Sequence, residues 1–507
     1  MVSWGIRLEL APVEKDRRRT YLPPACYTMS KDERTQSCKC LRDIKVPSSN
    51  SANIKSLVSM KDCKLQGMKS HDCHVLMTHM IPIALRGLLP EHIRHTITQL
   101  CSFFNTIHSK VLDPEFLDSL QSDIILTLCQ LEMYFPPSYF DVMVHLVSHI
   151  VGEIKACGPV YLRYMYPFER YMGVLKGYVR NRSRPEGSIV EGYVAEEATE
   201  FCTGYLDGIK SIGVSQSRHS GRLSGVGTIG SKSFNPDYKL FELAHFAVLQ
   251  HMTCISPYIE EHMATLRVEN IGRADLWYAR KHNEQFVTWL KNKVTTNFGQ
   301  PNIDETVQKL GEGPNSKVIT YQGYDINGYT FYTKQQDEKS TVQNSGVTLI
   351  ASTVEYQRMN HETRATIAKN AYCGVIQEIW ELNYGLFTIP LFKCKWVNNS
   401  SGVKVDKYGF TLVDLETNGY ASEPFILANQ AKQVFFIQDQ SKPRWHIVMH
   451  GKRRILGVDD VVDEKEYDQF DELPPFSIGT TSPINGDTTY LRSDHNEGLW
   501  VDTTHVT

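Results

Sequence analysis

Apolar residues recur at intervals of three to four along the first half of the chain. Consecutive segments between Met68 and about Gly208 show this spacing, and Pro or Gly residues mark their ends. Because an α-helix places residues three and four apart on one face, the pattern predicts a bundle of amphipathic helices. Asp113 followed by Pro114 is a favourable cap and first-turn pair for one of them. We therefore assign 68–210 to an all-α helical domain.

The pattern changes after the Gly and Pro residues of 311–314. Short runs of β-branched and aromatic residues follow, bounded by Asn, Gly, Asp and Ser. This arrangement is typical of small antiparallel barrels and sandwiches. The sequence therefore predicts a multidomain α + β protein, in which the all-α helical domain precedes a small antiparallel β-barrel or sandwich domain over 317–458.

Weaker patterns surround these two predicted domains. We expect 1–67 to be loosely structured, 211–235 to be a Gly/Ser linker and 236–300 to be a helical connector. The final segment, 459–507, opens with eight acids and one Lys between 459 and 472. Such a charge run favours a solvated, disordered tail.

Composition narrows the class of protein. The chain has 507 residues, with 41% hydrophobic and 22% charged residues and a net charge of -3, which is typical of a folded chain of several domains. No apolar run approaches the ~20 residues of a membrane helix. The start MVSWGIRLEL lacks the charged-then-apolar order of a signal peptide. We expect an intracellular protein without membrane contact, small-molecule cofactor or metal.

Cysteine and histidine residues near the start of the helical region were weighed as a zinc site. Cys38 and Cys40 form a C-x-C pair, and Cys63 and the cluster 71–74 (HDCH) follow at irregular distances. Structural zinc sites instead pair two regularly spaced knuckles. The twelve cysteines are therefore predicted to be reduced thiols rather than metal ligands or disulfides.

A second candidate metal face lies in the predicted helical domain. Asp141, His145 and His149 recur every four residues, which places all three on one face of a helix. Two imidazoles at that spacing can share a metal ion. The sequence offers no third ligand outside the helix, so we expect polar core or edge residues.

The most distinctive stretch by charge is 161–205. Its first half holds six basic residues and one acid, Glu169, among many aromatic residues, and the following turns carry glutamates without basic partners. The basic residues are Arg163, Arg170, Lys176, Arg180, Arg182 and Arg184. A cationic, aromatic surface of this kind suits a phosphate backbone. The alternative is a solvated helix face whose tyrosines belong to the core.

The same stretch predicts two helices joined by a turn. Pro167 favours a helix start near Tyr166, with Phe168, Tyr171, Met172 and Leu175 facing inward. The second helix is expected to begin at about Ser188, which forms a capping box with Glu191. Its inward residues would be Ile189, Tyr193 and Ala198, with the glutamates facing solvent.

Long strings of this sequence resemble plant transposon-encoded proteins of the En/Spm, or CACTA, type. They include WGIRLELAPVEKDRRRTYLPPACYTMS, YLRYMYPFERYMGVLKGYVRNRSRPEGSIVEGYVAEEATEFCTGYL and YCGVIQEIWELNYGLFTIPLFKCKWVNN, within a resemblance that covers roughly residues 4–475. In that family, a helical and a β-rich domain of unknown function follow a transposase domain with an RNase H-like fold. The resemblance implies a nuclear protein whose partners are DNA or a transposase subunit.

The resemblance also bears on catalysis. Transposases of this kind use several carboxylates to hold two divalent ions, and the leading aspartates belong to the transposase domain, which we expect to be missing upstream of Met1. Glu169 is then a catalytic candidate only in a full-length parent, with Glu191, Glu196 and Glu197 as alternatives and a salt bridge to Arg163 or Arg170 as its structural explanation. We expect a chain without catalysis of its own, or else a fragment that completes a magnesium-dependent active site supplied elsewhere.

A third hypothesis concerns the β-rich region. Five aromatic residues there could line a groove or cage for chromatin or peptide ligands: Tyr372, Trp380, Tyr384, Trp396 and Trp445. Their position within predicted strands favours the alternative that they fill the domain's own core.

Overall fold

The computed structural model describes residues 5–16, 19–50, 54–109, 111–205, 225–296, 304–359, 362–452 and 489–502. The acidic run 459–472 and the first part of the predicted linker lie outside these residues. None of the described helices has the length and apolarity that a membrane crossing requires.

The first half of the chain is helical, as predicted. Its α-helices are α1 (Lys31–Asp43), α2 (Ser70–Val75), α3 (Ile81–Ala84), α4 (Glu91–Ile107), α5 (Leu117–Tyr134), α6 (Val142–Leu146), α7 (Ile150–Cys157), α8 (Tyr166–Gly177) and α9 (Pro185–Tyr205). The predicted cap before α5 is confirmed, since the Asp113 side chain accepts a hydrogen bond from the Glu115 N–H at 3.0 Å. Buried Ile107, Ile124 and Val151 join α4, α5 and α7 in one apolar cluster.

The second half begins with helices and continues as sheet. The helices are α10 (Tyr238–His251), α11 (Ser256–Glu269), α12 (Asp275–Thr296), α13 (Glu305–Glu312) and α14 (Lys334–Lys339). The strands of the described residues are β1 (Val13–Asp16), β2 (Arg19–Leu22), β3 (Val58–Ser59), β4 (Lys64–Leu65), β5 (Val226–Ile229), β6 (Lys232–Phe234), β7 (Val318–Tyr321), β8 (Gly323–Ile326), β9 (Tyr329–Tyr332), β10 (Gly346–Met359), β11 (Glu362–Asn383), β12 (Thr388–Trp396), β13 (Val403–Val405), β14 (Thr411–Val413), β15 (Phe425–Leu427), β16 (Lys432–Gln438), β17 (His446–His450) and β18 (Leu499–Asp502).

A ten-stranded sheet dominates the β-rich half. Its main path is β13-β14-β17-β16-β10-β11-β12-β15, with β7 paired to β11 and β6 paired to β7. Every pairing within it is antiparallel, in agreement with the predicted fold class. Over the described residues the sheet does not close into a barrel, because its terminal strands β13 and β15 do not pair with each other. Residues of the small sheet β5-β8-β9, such as Tyr324 and Phe331, pack against Ile379 and Phe392 of the large one.

Helices cover the large sheet at two places. Phe286 and Leu290 of α12 pack with Trp380 and Leu391 of the sheet in one buried cluster. The segment expected to be a connector therefore supplies part of the core. At the second place, α1, α3 and α4 contribute to a cluster that contains Phe410, Phe435 and Ile447 of the β-rich half.

Three segments are more ordered than the sequence pattern indicates. The region expected to be loose contains α1, which begins with a capping box between Ser30 and Glu33. The predicted linker contains β5 and β6, whose partners lie about 90 residues further along. Within the predicted tail, β18 pairs with β2, and buried Arg492 forms a bidentate ion pair with Glu33 at 2.9 and 3.0 Å. Pairing between distant segments leaves no local hydrophobic period to detect.

Candidate functional site

Helices α8 and α9 form a hairpin that carries the cationic stretch. Pro167 lies in the first turn of α8, as predicted. The helices approach closely at Gly192, where a Cβ atom would lie 2.8 Å from the Tyr178 Cβ. A side chain at this position would push the two helices apart, so glycine permits the contact.

Four of the predicted nucleic-acid-binding residues surround the turn of this hairpin. Lys176, Arg180, Arg182 and Arg184 are all exposed. The turn is held by side-chain hydrogen bonds: Ser183 N–H donates to the Asn181 Oδ1 at 3.0 Å, and Asn181 N–H donates to the Ser188 Oγ at 3.1 Å. The fold therefore presents these four charges together on an ordered turn.

The other two predicted residues lie apart from this group. Arg163 precedes α8 and ion-pairs with Glu153 at 3.8 Å. Arg170 lies in the first half of α8, and its side chain is outside the described residues. A helix rises about 1.5 Å per residue, so Arg163 stands at the opposite end of α8 from the turn.

Glu169 is exposed in the first turn of α8. A carboxylate there stabilises a helix through the partial positive charge of its N-terminus, which gives Glu169 a structural role. The ion pair of Arg163 runs to Glu153 instead of to Glu169. Across the described part of the chain, no three His, Cys, Asp or Glu side chains converge closely enough to hold a metal ion.

Several orientations predicted for this hairpin are wrong. Phe168, Tyr171 and Met172 are exposed rather than inward, with 62%, 49% and 63% of their surface accessible. Tyr193 of α9 is also exposed. The apolar spacing was read correctly as helical, but the hairpin packs on itself near Tyr178 and leaves these faces uncovered.

The predicted capping box of α9 is also wrong. The helix begins at Pro185, three residues before Ser188. Ser188 therefore lies inside the helix, where its hydroxyl accepts the hydrogen bond from Asn181. Proline at a first helical position starts the helix without a side-chain cap.

The candidate zinc ligands of 38–74 do not form a group of three among the described residues. All twelve cysteines are free, as predicted. Cys63 contacts the Thr35 hydroxyl at 3.5 Å, and Asp72 accepts a hydrogen bond from the Lys69 N–H at 2.9 Å. Burial, together with neighbouring Cys63, raises the pKa of the Cys38 thiol.

The histidine face has an equally plain explanation. Asp141 caps α6 by accepting hydrogen bonds from the N–H groups of Met143 and Val144. Exposed His145 and His149 lie one turn apart, with their Nε2 atoms 3.1 Å from each other. They are polar edge residues, and Asp141 is engaged with the backbone.

The five aromatic residues of the β-rich half do not form a cage. Trp380, Tyr384 and Trp396 are buried, as the core alternative predicts. Tyr372 meets Tyr420 edge to face, with ring centroids 5.2 Å apart. Trp445 lies under the Lys404 Nζ at 3.4 Å.

Sequence reasoning missed one further feature, a basic cavity between α3–α4 and the β13–β14 hairpin. It joins Arg86 and Arg94 to Lys404 and Lys407, more than 300 residues away in the chain. The sequence around each of these residues contains no motif, and the cavity forms only because segments far apart in the chain meet.

Two family models match parts of the chain. The first, Domain of unknown function (DUF4218), matches residues 107–220, and the second, Domain of unknown function (DUF4216), matches residues 380–448. Both domains are typical of plant transposase-derived proteins. The first match includes the whole α8–α9 hairpin, and the second runs from the last residues of β11 into β17. No curated protein and no solved structure matches the chain.

Proposed function

We propose that this chain is a transposon-derived nuclear protein of the En/Spm (CACTA) type, corresponding to the C-terminal part of a transposase, and that it binds DNA without catalysis of its own. The two domain matches support the transposase-derived origin. The observation that carries DNA binding is the group of four exposed basic residues, Lys176, Arg180, Arg182 and Arg184, on the turn between α8 and α9.

This turn has the properties of a phosphate-contacting surface. Arginine and lysine side chains that neutralise backbone phosphates release condensed counterions, which makes binding strong at low salt and weak at high salt. No base-reading geometry is needed for such contacts, so we expect binding with little sequence preference. The ordered turn would hold the charges at fixed spacing.

A gel-shift titration across a salt series tests the proposal. With four phosphate contacts on duplex DNA, we expect the logarithm of the affinity to fall with the logarithm of salt at a slope of about -3 to -4. Changing Lys176, Arg180, Arg182 and Arg184 together to Gln should remove most of the binding and flatten the slope. The matched control changes exposed Arg267, Arg273, Arg280 and Lys291, in and between α11 and α12, to Gln, which alters the net charge equally at another exposed place.

Two results would contradict the DNA-binding proposal. One is the absence of any shift at low salt. The other is an equal loss in both quadruple variants, since that would reflect the total charge and not the turn.

A second candidate is binding to a transposase subunit. Phe168, Met172 and Phe201 expose 62%, 63% and 76% of their surface on the hairpin, and exposed apolar residues of this density favour a protein partner. Co-purification with an En/Spm-type transposase should then be lost when the three residues are changed to Ser. Retention by the triple variant would remove this candidate.

The enzyme alternative is a fragment that completes a magnesium-dependent active site supplied by an upstream domain. Purified chain should neither nick nor join DNA with Mg²⁺ or Mn²⁺ if our proposal holds. Activity that a Glu169→Gln change abolishes would favour the enzyme instead.

A further inference from the structure

A basic cavity of about 460 Å³ opens between the two halves of the molecule. One wall comes from the end of α3 and from α4, and the other comes from β13, β14 and the turn between β16 and β17. Five basic side chains and one acid line it: Arg86, Arg94, Lys404, Lys407, Lys442 and Asp406. The cavity therefore combines a concave shape with an excess of positive charge.

Arg86 builds the rigid wall of the cavity. Its guanidinium donates to Asp406 Oδ2 at 2.6 Å and to Asp439 Oδ2 at 3.0 and 3.2 Å. Asp406 also accepts from the N–H groups of Tyr408 and Phe410, both at 2.9 Å. These bonds fix the β13–β14 turn against α3, so the cavity is preorganised.

Two hydrogen-bond donors beside the cavity are unpaired. The Nε of Arg94 and the hydroxyl of Tyr408 are buried without a hydrogen-bond partner among the described residues. Lys404 lies over the Trp445 ring, and burial, with the nearby cations Lys442 and Arg86, lowers the pKa of its ammonium group. An anion in the cavity would stabilise the charged form of the Lys404 ammonium group.

The charges around the cavity indicate the size of that anion's charge. Asp406 and Asp439 engage Arg86, and Glu91 forms an ion pair with Lys407. The five basic residues of the cavity carry five positive charges and the three acids carry three negative charges, so the net charge is +2. A phosphate monoester carries about -1.5 to -2 at neutral pH, which matches that remainder.

We propose that this cavity binds the phosphate group of a nucleotide-sized molecule, with Arg94, Lys404 and Lys442 as its cationic ligands. Its volume lies within the usual range of small-molecule sites, about 300–1,000 Å³. The phosphate comes either from a free nucleotide or from the 5′ end of a DNA strand. The site shares no residue with the α8–α9 turn, so its success or failure is independent of the DNA-binding proposal.

Isothermal titration calorimetry with the full chain tests the site. The probes are pyrophosphate, AMP, adenosine, and one short single strand prepared with either a 5′ phosphate or a 5′ hydroxyl. We expect binding of AMP and pyrophosphate but not of adenosine if the source is a free nucleotide. Preference for the phosphorylated strand over both small probes would assign the source to DNA ends.

Variants locate the binding. Lys404→Gln and Arg94→Gln should each lower the affinity for the phosphate probe by about tenfold or more, because hydrogen bonds to a charged group are stronger than neutral ones. Lys442→Gln, at an exposed position, should weaken binding of the probe by a smaller factor. Lys432→Gln, exposed on β16 outside the cavity, is the control and should bind like the wild type.

Three outcomes would overturn the proposal. They are no heat with any phosphate probe at low salt, equal affinity for adenosine and AMP, and a loss in Lys432→Gln equal to that in Lys404→Gln. Circular dichroism melts of each variant separate loss of the ligand site from loss of the fold, and Lys442→Gln gives a reading even if Arg94→Gln does not fold.

Discussion

His245 of α10 is almost completely buried, and its Nδ1 lies 2.9 Å from the Tyr384 hydroxyl. Burial lowers the pKa of the imidazole to about 4 from an ordinary value of 6.5, and the charge of Lys291 contributes in the same direction. The neutral ring can accept the Tyr384 O–H, whereas the protonated ring cannot. Protonation of His245 therefore removes a hydrogen bond between α10 and Tyr384 of the sheet and destabilises the core that they share.

The consequence is a stability that depends on pH. In the unfolded chain His245 takes up a proton near pH 6.5, while in the folded chain it resists protonation until about pH 4. Its stabilisation is thus complete above pH 6.5 and is lost as the pH falls toward 4, by about 3 kcal/mol at most. His245→Gln should show a shallower fall in urea midpoint across this window than the wild type.

Exposed His145→Gln serves as the control, because an exposed imidazole loses little hydration on folding. His282 has a pKa lowered to about 4, with burial as the main cause, so some pH dependence should persist in His245→Gln. If the His245 and His145 variants follow the same pH curve as the wild type, the assigned role of His245 is wrong.

At the scale of single residues, the sequence predicted what depends on neighbours in the chain. Asp113 caps as expected because an N-cap is defined by the next three residues. Ser188 and Glu191 fit a capping box equally well, yet Pro185 began the helix earlier and Ser188 instead bonds to Asn181 across the turn. The helix start at Pro185 therefore took precedence over the one predicted at Ser188.

Elements were predicted by type more reliably than by orientation. The period of α8 identified a helix, but the period cannot say whether anything covers the apolar face, which is exposed in Phe168 and Met172. In the sheet the opposite holds, since the aromatic strand residues Trp380 and Trp396 are buried as their context favoured. Helix α12 covers the sheet at Trp380 and the small sheet packs in one cluster with Trp396, whereas the apolar face of α8 is exposed.

Strand pairing at β10 and β16 supplies the prediction at this scale. Gly346 pairs with Val434, and a Cβ at position 346 would lie 2.3 Å from the Val434 carbonyl oxygen. Because backbone must move to admit a methyl group, Gly346→Ala should destabilise the fold by about 1–3 kcal/mol. The measurement is the melting temperature by circular dichroism.

Gly173→Ala on α8 is the matched control. Nothing lies within 4 Å of a Cβ at that position, and alanine favours a helix interior over glycine by about 0.5–1 kcal/mol. Its melting temperature should be unchanged or higher. A melting temperature for Gly346→Ala at or above that of the wild type would show that the β10–β16 register differs from the one described.

At the scale of the whole molecule, the β-rich half depends on helices from elsewhere in the chain. Phe286 and Leu290 of α12 cover one part of the sheet, and Ile83 and Cys101 of the N-terminal half help to cover another. Buried apolar area stabilises by about 25 cal/mol per Å², so removing these helices exposes a large unfavourable surface.

We therefore expect the isolated segment 317–452 to aggregate or to bind the dye ANS strongly when it is expressed alone. The segment 225–452, which restores α10–α13, should bind less dye per molecule but more than the full chain. A monomeric 317–452 that melts cooperatively at the temperature of the full chain would contradict the shared core.

The sequence by itself determined the order of helices before strands, the antiparallel class of the sheet, the free cysteines and the local concentration of positive charge from Lys176 to Arg184. All of these follow from residue types and from periods that span only a few positions. Tertiary structure alone decided that α10–α13 belong to the core of the sheet, that the α8–α9 hairpin leaves its apolar residues exposed, and that Arg94 and Lys404 face one cavity. Each of these depends on which distant segments meet, and a local period carries no information about the partner that covers a face.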